Sequence, residues 1–227
     1  MSTSFGDSVK VNNELSFGPS ATITSFPANS LTEAAFNSNT AIARTSLAQD
    51  NLKPYSLDFT SFRVHDAIQT NLPATAATDD LAIFEGSGGF GTDPIQLDAG
   101  DLKAAGATTR YARFKAVIPA EYVDGETVVI RVRSAVETTV ADTSCTVDIE
   151  AYLPDEDGGL SADLCTTAAT SMNSVTVANY DFTITPTTIV AGDTLDCRVA
   201  IACNDAATGT AVRPSIYAIK LLCDVQG

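Results

Sequence analysis

His65 is the residue with the clearest capacity for chemistry because it is the single histidine of the chain. Asp66 follows it directly, and a carboxylate beside an imidazole is part of the Ser-His-Asp arrangement that activates a hydroxyl nucleophile. The sequence contains no GxSxG segment that would present such a hydroxyl on a nucleophile elbow. A lone histidine at a strand end more often forms hydrogen bonds at a sheet edge. The sequence therefore favours a structural His65, and we predict that the protein is not an enzyme.

Gly86, Gly88 and Gly91 have the GxGxxG spacing of a dinucleotide-binding loop. In that fold the third glycine opens a helix whose amide groups hold pyrophosphate. Here Thr-Asp-Pro follows at 92–94, and no segment downstream has the pattern of a βαβ unit. The sequence favours a glycine loop at one end of a β-structure, and we predict no cofactor.

Asp155, Asp157 and Asp163 lie close together after a segment of strand-like alternation. Hard cations such as calcium take oxygen ligands from acidic loops. The spacing is not that of an EF-hand, because Thr166 stands at the twelfth position counted from Asp155, where the glutamate would be. The sequence favours a solvated turn without a bound metal and leaves calcium as the alternative.

Arg110, Arg113, Arg131 and Arg133 are half of the arginines, and the alternation of their segments places them outward. We expect them on two neighbouring strands, where they form either a patch for an acidic partner or another copy, or cross-strand pairs with Asp148 and Glu150. Opposite charges across a sheet contribute roughly 0.2–1 kcal/mol per pair. Neither arrangement indicates catalysis.

The five cysteines and the net charge of −15 restrict the function further. An odd number of cysteines without a CxxC pair argues against a disulfide framework and against a zinc site, so we predict free thiols, four of them in or near the core.

An excess of acidic residues repels phosphate backbones and anionic lipid, so we predict neither nucleic acid nor membrane as a partner. The first residues have no leader pattern, and no apolar run approaches the roughly 18 residues of a membrane helix. We expect a protein that is made in the cytoplasm.

From about residue 57 onward, apolar and polar residues alternate with a period of two. This pattern predicts β-strands, and we expect those strands to position all of the groups described above. In 110–119, for example, Ala112, Phe114 and Ala116 share one face. The predicted strands are 57–64, 81–84, 110–119, 127–136, 145–153, 175–184, 195–203 and 216–225. Because no helical period separates them, the strands pair antiparallel. We predict an all-β, two-sheet sandwich over residues 56–227, a jelly roll of about eight strands.

Residues 1–55 lack this alternation and are rich in Ser, Asn, Thr and Ala. We predict an extended N-terminal arm, with a possible short helix at 31–47 capped by Ser30. The isolated apolar residues of such an arm are suited to contacts with another surface. The predicted partner-binding residues are Phe5, Leu15, Phe17, Ile23 and Phe26.

The stretch 110–225, and above all FTITP at 182–186 with VAGDTLDCRVAI at 190–201, resembles tailed-bacteriophage head proteins of the decoration or cement type. The resemblance implies a jelly roll, a homotrimer, and binding to the outside of an icosahedral shell of major capsid protein. Its implied location is the outer capsid surface of the virion, after synthesis in the host cytoplasm, whose reducing conditions suit unpaired thiols.

A carbohydrate-binding jelly roll, such as a module of a head fibre or tail tip, is the alternative function. Lectin-like domains share the predicted architecture, and glycine and acidic loops lie where ligands often bind. Sugar sites usually stack a ring on Trp or Tyr, and this chain has no Trp and six scattered Tyr. The sequence therefore favours a structural virion protein.

Overall fold

The computed structural model describes residues 52–86, 89–103, 105–138, 144–155, 157–206 and 211–225. The chain divides into a unit of residues 1–48 and a unit of residues 49–227, and all described residues belong to the second. The predicted helix at 31–47 and the predicted contact residues Phe5, Leu15, Phe17, Ile23 and Phe26 lie outside the described residues.

Two antiparallel sheets make up the described part of the chain. The strands are β1 (Leu52–Leu57), β2 (Ala82–Glu85), β3 (Ile95–Asp98), β4 (Thr108–Val117), β5 (Val128–Val136), β6 (Ser144–Tyr152), β7 (Thr170–Ser171), β8 (Ala178–Ile184), β9 (Thr194–Asn204) and β10 (Pro214–Asp224). A search of the described residues for a helix long and apolar enough to span a membrane finds none.

The eight strands from β3 to β10 follow the order of a jelly roll. The larger sheet contains β3, β10, β5 and β8 as neighbours, and the smaller sheet contains β4, β9, β6 and β7. Among these eight strands every connection except β6 to β7 therefore crosses from one sheet to the other, as two Greek keys require. Of the two additional strands of the larger sheet, β1 pairs with β10 and β2 pairs with β3. The predicted all-β jelly-roll sandwich is confirmed.

The core lies between the sheets and consists of the inward residues of both. On β9 the inward side chains, all 3% exposed or less, are Leu195, Cys197, Val199, Ile201 and Cys203. Each fully buried aliphatic side chain stabilises the fold by roughly 1.5–3 kcal/mol. Phe62 stacks on Phe114 with ring centroids 4.6 Å apart and meets Phe59 edge-on at 5.5 Å. This aromatic cluster links the segment after β1 to the smaller sheet.

The predicted strand at 57–64 is wrong. β1 is Leu52–Leu57 and begins before the predicted start of the sandwich at residue 56. Asp58 then caps a single 3-10 turn by accepting a hydrogen bond from the Thr60 amide at 2.9 Å. A short polar side chain that bonds its own backbone competes with the strand ladder. Phe59 and Phe62 are buried although they lie in a turn and the loop after it, so their spacing resembled that of a strand.

The predicted arginine patch is also wrong, because β4 and β5 belong to different sheets. Arg113 pairs with Asp196 on the smaller sheet, through its Nε to Oδ1 at 2.7 Å, and Arg131 pairs with Asp181 on the larger sheet at 2.6 Å. Arg110 donates to the Ala99 carbonyl. These three arginines therefore have other partners than the expected Asp148 and Glu150.

All five cysteines are free, as predicted, and Cys145, Cys197, Cys203 and Cys223 are buried. Cys165 is half-buried, and burial raises the pKa of its thiol to about 11. Burial likewise raises the pKa of Cys223 to about 12. The thiols of Cys165 and Cys223 are therefore poor nucleophiles in the folded protein, since the thiolate is the reactive species.

We expect a disulfide reagent such as DTNB at pH 8 to modify at most one thiol of the native protein, slowly, and all five in guanidinium chloride. Cys165→Ser should abolish the native reaction because the other four side chains are buried. Rapid modification of two or more thiols in the native protein would contradict this placement of the cysteines.

Candidate functional site

The outer face of the larger sheet carries an unusual combination of cations and apolar side chains. A register shift between Ile216 and Ala218 in the pairing of β10 with β5 changes the alternation of β10. Ile219 and Leu221 consequently point into the core, both at most 1% exposed. Lys220 and Leu222 lie on the opposite side of the strand, where Lys220 is half-buried and Leu222 is only 4% exposed. The shift thus determines which residues of β10 reach the outer face.

Arg131, Arg133 and Lys220 are neighbours on this face, and we call it the basic face. The guanidinium of Arg131 is neutralised by Asp181, with both hydrogen bonds at 2.6 Å. Within the part of the chain that the structure describes, Arg133 and Lys220 form no ion pair with a carboxylate. Two uncompensated cations therefore lie side by side in a chain of net charge −15.

A depression of about 260 Å³ is lined in part by these cations. Its apolar lining comes from Leu52 and Pro54 on β1 and from Ala218 and Leu222 on β10. β1 supplies these residues because Pro54 pairs opposite Leu222 in the antiparallel register. Of these cations, arginine is the type that is enriched in protein–protein interfaces.

A second and larger depression, about 820 Å³, adjoins the first at Arg133. Arg213 lies over the Phe84 ring, 4.5 Å from its centroid, and reaches Asp98 Oδ2 at 3.5 Å. Asp98 is only 2% exposed, and its other oxygen accepts a hydrogen bond from the Gly100 amide at 2.6 Å. Burial raises the pKa of Asp98 above its ordinary value near 3.8, and Arg213 and the Gly100 amide oppose that rise.

We expect Asp98 to add stability as the pH falls, the reverse of an ordinary ion-paired carboxylate. Since its pKa is higher in the folded chain than in the unfolded chain, the folded protein binds the proton more tightly. The stabilising contribution grows as the pH drops through the raised pKa and is complete below about 3.8. Urea unfolding at pH 7 and pH 4.5 should show wild type gaining stability relative to Asp98→Asn at the lower pH. A constant difference, or one of opposite sign, would contradict this.

The outer face of the smaller sheet carries a shallow trough that we call the alanine trough. Ala200 and Ala202 on the central strand β9 form its floor, between Tyr111 on β4 and Asp148 on β6, both of which pair opposite Ala200. Small side chains in the middle strand and larger ones on both neighbours leave a cavity of about 170 Å³.

Ionic and aromatic contacts close one end of the alanine trough. Arg198 Nε donates to Glu150 Oε2 at 2.6 Å, and the Arg198 guanidinium lies 4.6 Å from the centroid of the Tyr111 ring. Burial raises the pKa of Asp148, the charge of Glu150 adds to the rise, and Arg198 opposes it. A planar cation, an aromatic ring and two carboxylates therefore surround a cavity with an apolar floor.

His65 lies beside this trough at the edge of β4, with its ring 4.7 Å from that of Tyr111. Its Nε2 is 3.8 Å from Asp79 Oδ2 and its Nδ1 is 3.5 Å from Asp80 Oδ1. The two ring nitrogens thus face the carboxylates of Asp79 and Asp80. Asp79 and Asp80 were not singled out in the sequence because thirteen residues or more separate them from His65.

The glycine and acidic loops are turns in the structure. Residues 86–94 join β2 to its antiparallel neighbour β3, so the described part of the GxGxxG segment connects two strands of a hairpin. Asp155 accepts a hydrogen bond from the Gly159 amide, and Asp163 accepts bonds from the Ala151 and Cys165 amides at 3.0 Å. Asp155 and Asp163 therefore bond the backbone at separate places.

Comparison with known proteins gives structural neighbours only. No protein-family model matches the chain, and no characterised protein matches it in sequence. A structure of the Gt strain of infectious bursal disease virus is 16% identical, with a TM-score of 0.37, over 59% of this chain and 30% of that one. The xylan-binding module CBM15 is 15% identical, with a TM-score of 0.42, over 78% of this chain and 99% of that one. The CBM22-1 xylan-binding domain of Paenibacillus barcinonensis Xyn10C is 11% identical, with a TM-score of 0.36, over 77% of this chain and 95% of that one. The scores are low, and the jelly-roll assignment rests on the strand pairing.

Proposed function

We propose that the protein is a structural component of a tailed-bacteriophage virion that binds the outside of the icosahedral head and stabilises it. The observation that carries this proposal is the basic face, where Arg133 and Lys220, which have no ion-pair partner among the described residues, adjoin the apolar Leu52 and Pro54. In a chain of net charge −15, such a face is complementary to an acidic and partly apolar protein surface. The resemblance of residues 110–225 to head decoration proteins supports the major capsid protein as the proposed partner surface.

Binding of this kind needs no chemical reaction. A protein that binds the assembled shell but not its separated subunits stabilises the shell by mass action. The proposed location is the outer capsid surface, after synthesis in the host cytoplasm, and the proposed assembly is a homotrimer. Free thiols at all five cysteines are compatible with assembly in a reducing compartment.

The N-terminal arm is the second part of the proposed contact. We expect deletion of residues 1–27, which removes Phe5, Leu15, Phe17, Ile23 and Phe26, to abolish binding to heads while the jelly roll stays folded. Apolar anchors of a bound segment dominate interface energies. The measurement is co-sedimentation with heads, together with the melting temperature of the truncated protein. Unchanged affinity of the truncated protein would contradict a role for the arm.

The proposed function is tested by mixing the full chain with empty heads of the phage that encodes it. We expect a trimer by light scattering that sediments saturably with heads and raises the temperature at which they disrupt. A protein that remains in the supernatant at all concentrations, or that binds without any effect on head disruption, would overturn the proposal.

Carbohydrate binding at the alanine trough is the second candidate function. It is favoured by the arrangement of Tyr111, Asp148, Glu150 and Arg198 around an open cavity, because sugars bind to aromatic rings and to charged hydrogen-bonding groups. Part of the Tyr111 ring is covered by Arg198, which leaves less of it for stacking. A glycan array is the test: reproducible hits that disappear in Arg198→Ala would favour this function over the first, and an array without hits would exclude it.

A further inference from the structure

His65, Asp66 and Asp79 bring three potential metal ligands together in the described part of the chain. One ligand atom from each side chain lies within 4.8 Å of the others. Asp66 is exposed and Asp79 is 49% exposed, whereas the His65 side chain is only 14% exposed. The two carboxylates of the cluster are therefore accessible to solvent, whereas the imidazole is largely buried.

Asp80 lies against the imidazole of His65. Its Oδ1 is 3.5 Å from His65 Nδ1, and both atoms are buried and form no hydrogen bond, with each other or with another described residue. A histidine that binds a metal through one nitrogen typically directs its other nitrogen at a carboxylate, which fixes the ring and raises its basicity. With Nδ1 directed at Asp80, the free nitrogen is Nε2, which faces Asp79 Oδ2 at 3.8 Å.

The two loops that supply these residues are held at the edge of β4. Arg63 forms backbone hydrogen bonds with Arg113 at 2.8 and 2.9 Å, just before His65. The Asp79 carbonyl accepts from the Tyr111 amide at 2.7 Å, and the Asp80 amide closes a turn onto Ala77 at 2.9 Å. The ligand-bearing backbone is therefore positioned by the smaller sheet and not by the ion itself.

We propose that His65 Nε2, Asp66 and Asp79 bind one divalent transition-metal ion, with zinc as the best match, and that Asp80 is the residue that positions His65. Zinc lies about 2.0–2.2 Å from nitrogen and oxygen ligands in a tetrahedron, so its ligand atoms are about 3.4 Å apart. The three ligand atoms, which lie within 4.8 Å of one another, therefore have to move closer together when the ion binds, and the exposed Asp66 side chain has the most freedom to do so. One imidazole among carboxylates favours zinc over calcium, which takes oxygen ligands only. The ion would add a cross-link between residues 65–66 and 79–80, two segments that the backbone hydrogen bonds to β4 already hold in place.

The experiment is a calorimetric titration of zinc into the full chain with a non-thiol reducing agent present. We expect one site per chain and a higher melting temperature with zinc. His65→Gln and Asp79→Asn should each weaken zinc binding at least about tenfold, and Asp80→Asn by about 10- to 100-fold. Asp157→Asn in the acidic loop and Cys165→Ser at the half-buried thiol should leave the affinity unchanged, and cobalt bound in place of zinc should show no thiolate charge-transfer band.

Three results would overturn the proposal. They are a titration without heat or change in melting temperature, zinc binding that His65→Gln leaves intact, and zinc binding that Cys165→Ser or Asp157→Asn removes. Asp79 is half-exposed, so Asp79→Asn tests the site even where His65→Gln lowers the stability of the fold. Binding to heads is not part of this test, and the metal site stands or fails independently of the proposed function.

Discussion

Replacing Arg133 and Lys220 together by glutamate should weaken binding of the protein to its heads by about 100-fold or more. Both cations lie on the basic face without a carboxylate partner among the described residues. Reversal of their charge places like charges against an acidic partner, which costs several kcal/mol across an interface, and each 1.4 kcal/mol corresponds to a tenfold change in affinity. Quantitative co-sedimentation at constant ionic strength measures the effect.

A matched control is available on other surfaces of the same domain. Lys103 and Lys115 are exposed and lie away from the basic face, and the double change to glutamate alters the net charge equally. This control should keep head affinity within about twofold, because screening at physiological salt limits the reach of distant charges to roughly 8 Å. Equal losses in the two double variants would mean that net charge, and not the basic face, governs binding.

Phe62→Ala should lower the free energy of unfolding by about 3–5 kcal/mol, the usual cost of removing a fully buried phenylalanine ring. Phe62 is completely buried and contacts two other rings, Phe59 and Phe114. Its loss opens a cavity between the segment after β1 and the smaller sheet. Urea or thermal unfolding measures it, with an expected fall of about 10 °C in melting temperature for a domain of this size.

Phe90→Ala provides the comparison for this prediction. Phe90 is fully exposed in the loop between β2 and β3, so its removal should change stability by no more than about 0.5 kcal/mol. A small effect at Phe62, comparable with that at Phe90, would show that the aromatic cluster does not exist.

The sandwich was predictable because alternation is a property of the chain itself. In β6, Cys145, Val147 and Ile149 are buried between polar neighbours, and a one-residue slip would expose all of them. Phe59 and Phe62 led to the wrong strand at 57–64, because buried residues of a loop and buried residues of a strand give the same apolar pattern in the sequence. β3, at Ile95–Asp98, was missed because its alternation is hidden by the burial of Gln96 and Asp98.

The binding surfaces were less accessible to sequence reasoning because they depend on which strands become neighbours. Arg131 and Arg133 were recognised as outward, but their neighbours Lys220 and Leu222 depend on the register shift in β10. Pro54 was assigned to the arm, and only the pairing of β1 with β10 brings it to the basic face. His65 and Asp79 meet because two separate loops bond to the same strand, which no local pattern encodes.

The most direct test of the account is lysine acetylation of the free and head-bound protein, read out residue by residue. If the basic face docks on the shell, Lys220 becomes protected on binding, while Lys103 and Lys115 react to the same extent in both states. Acetylation of Lys220 in the bound protein at the rate of the free protein would contradict the account.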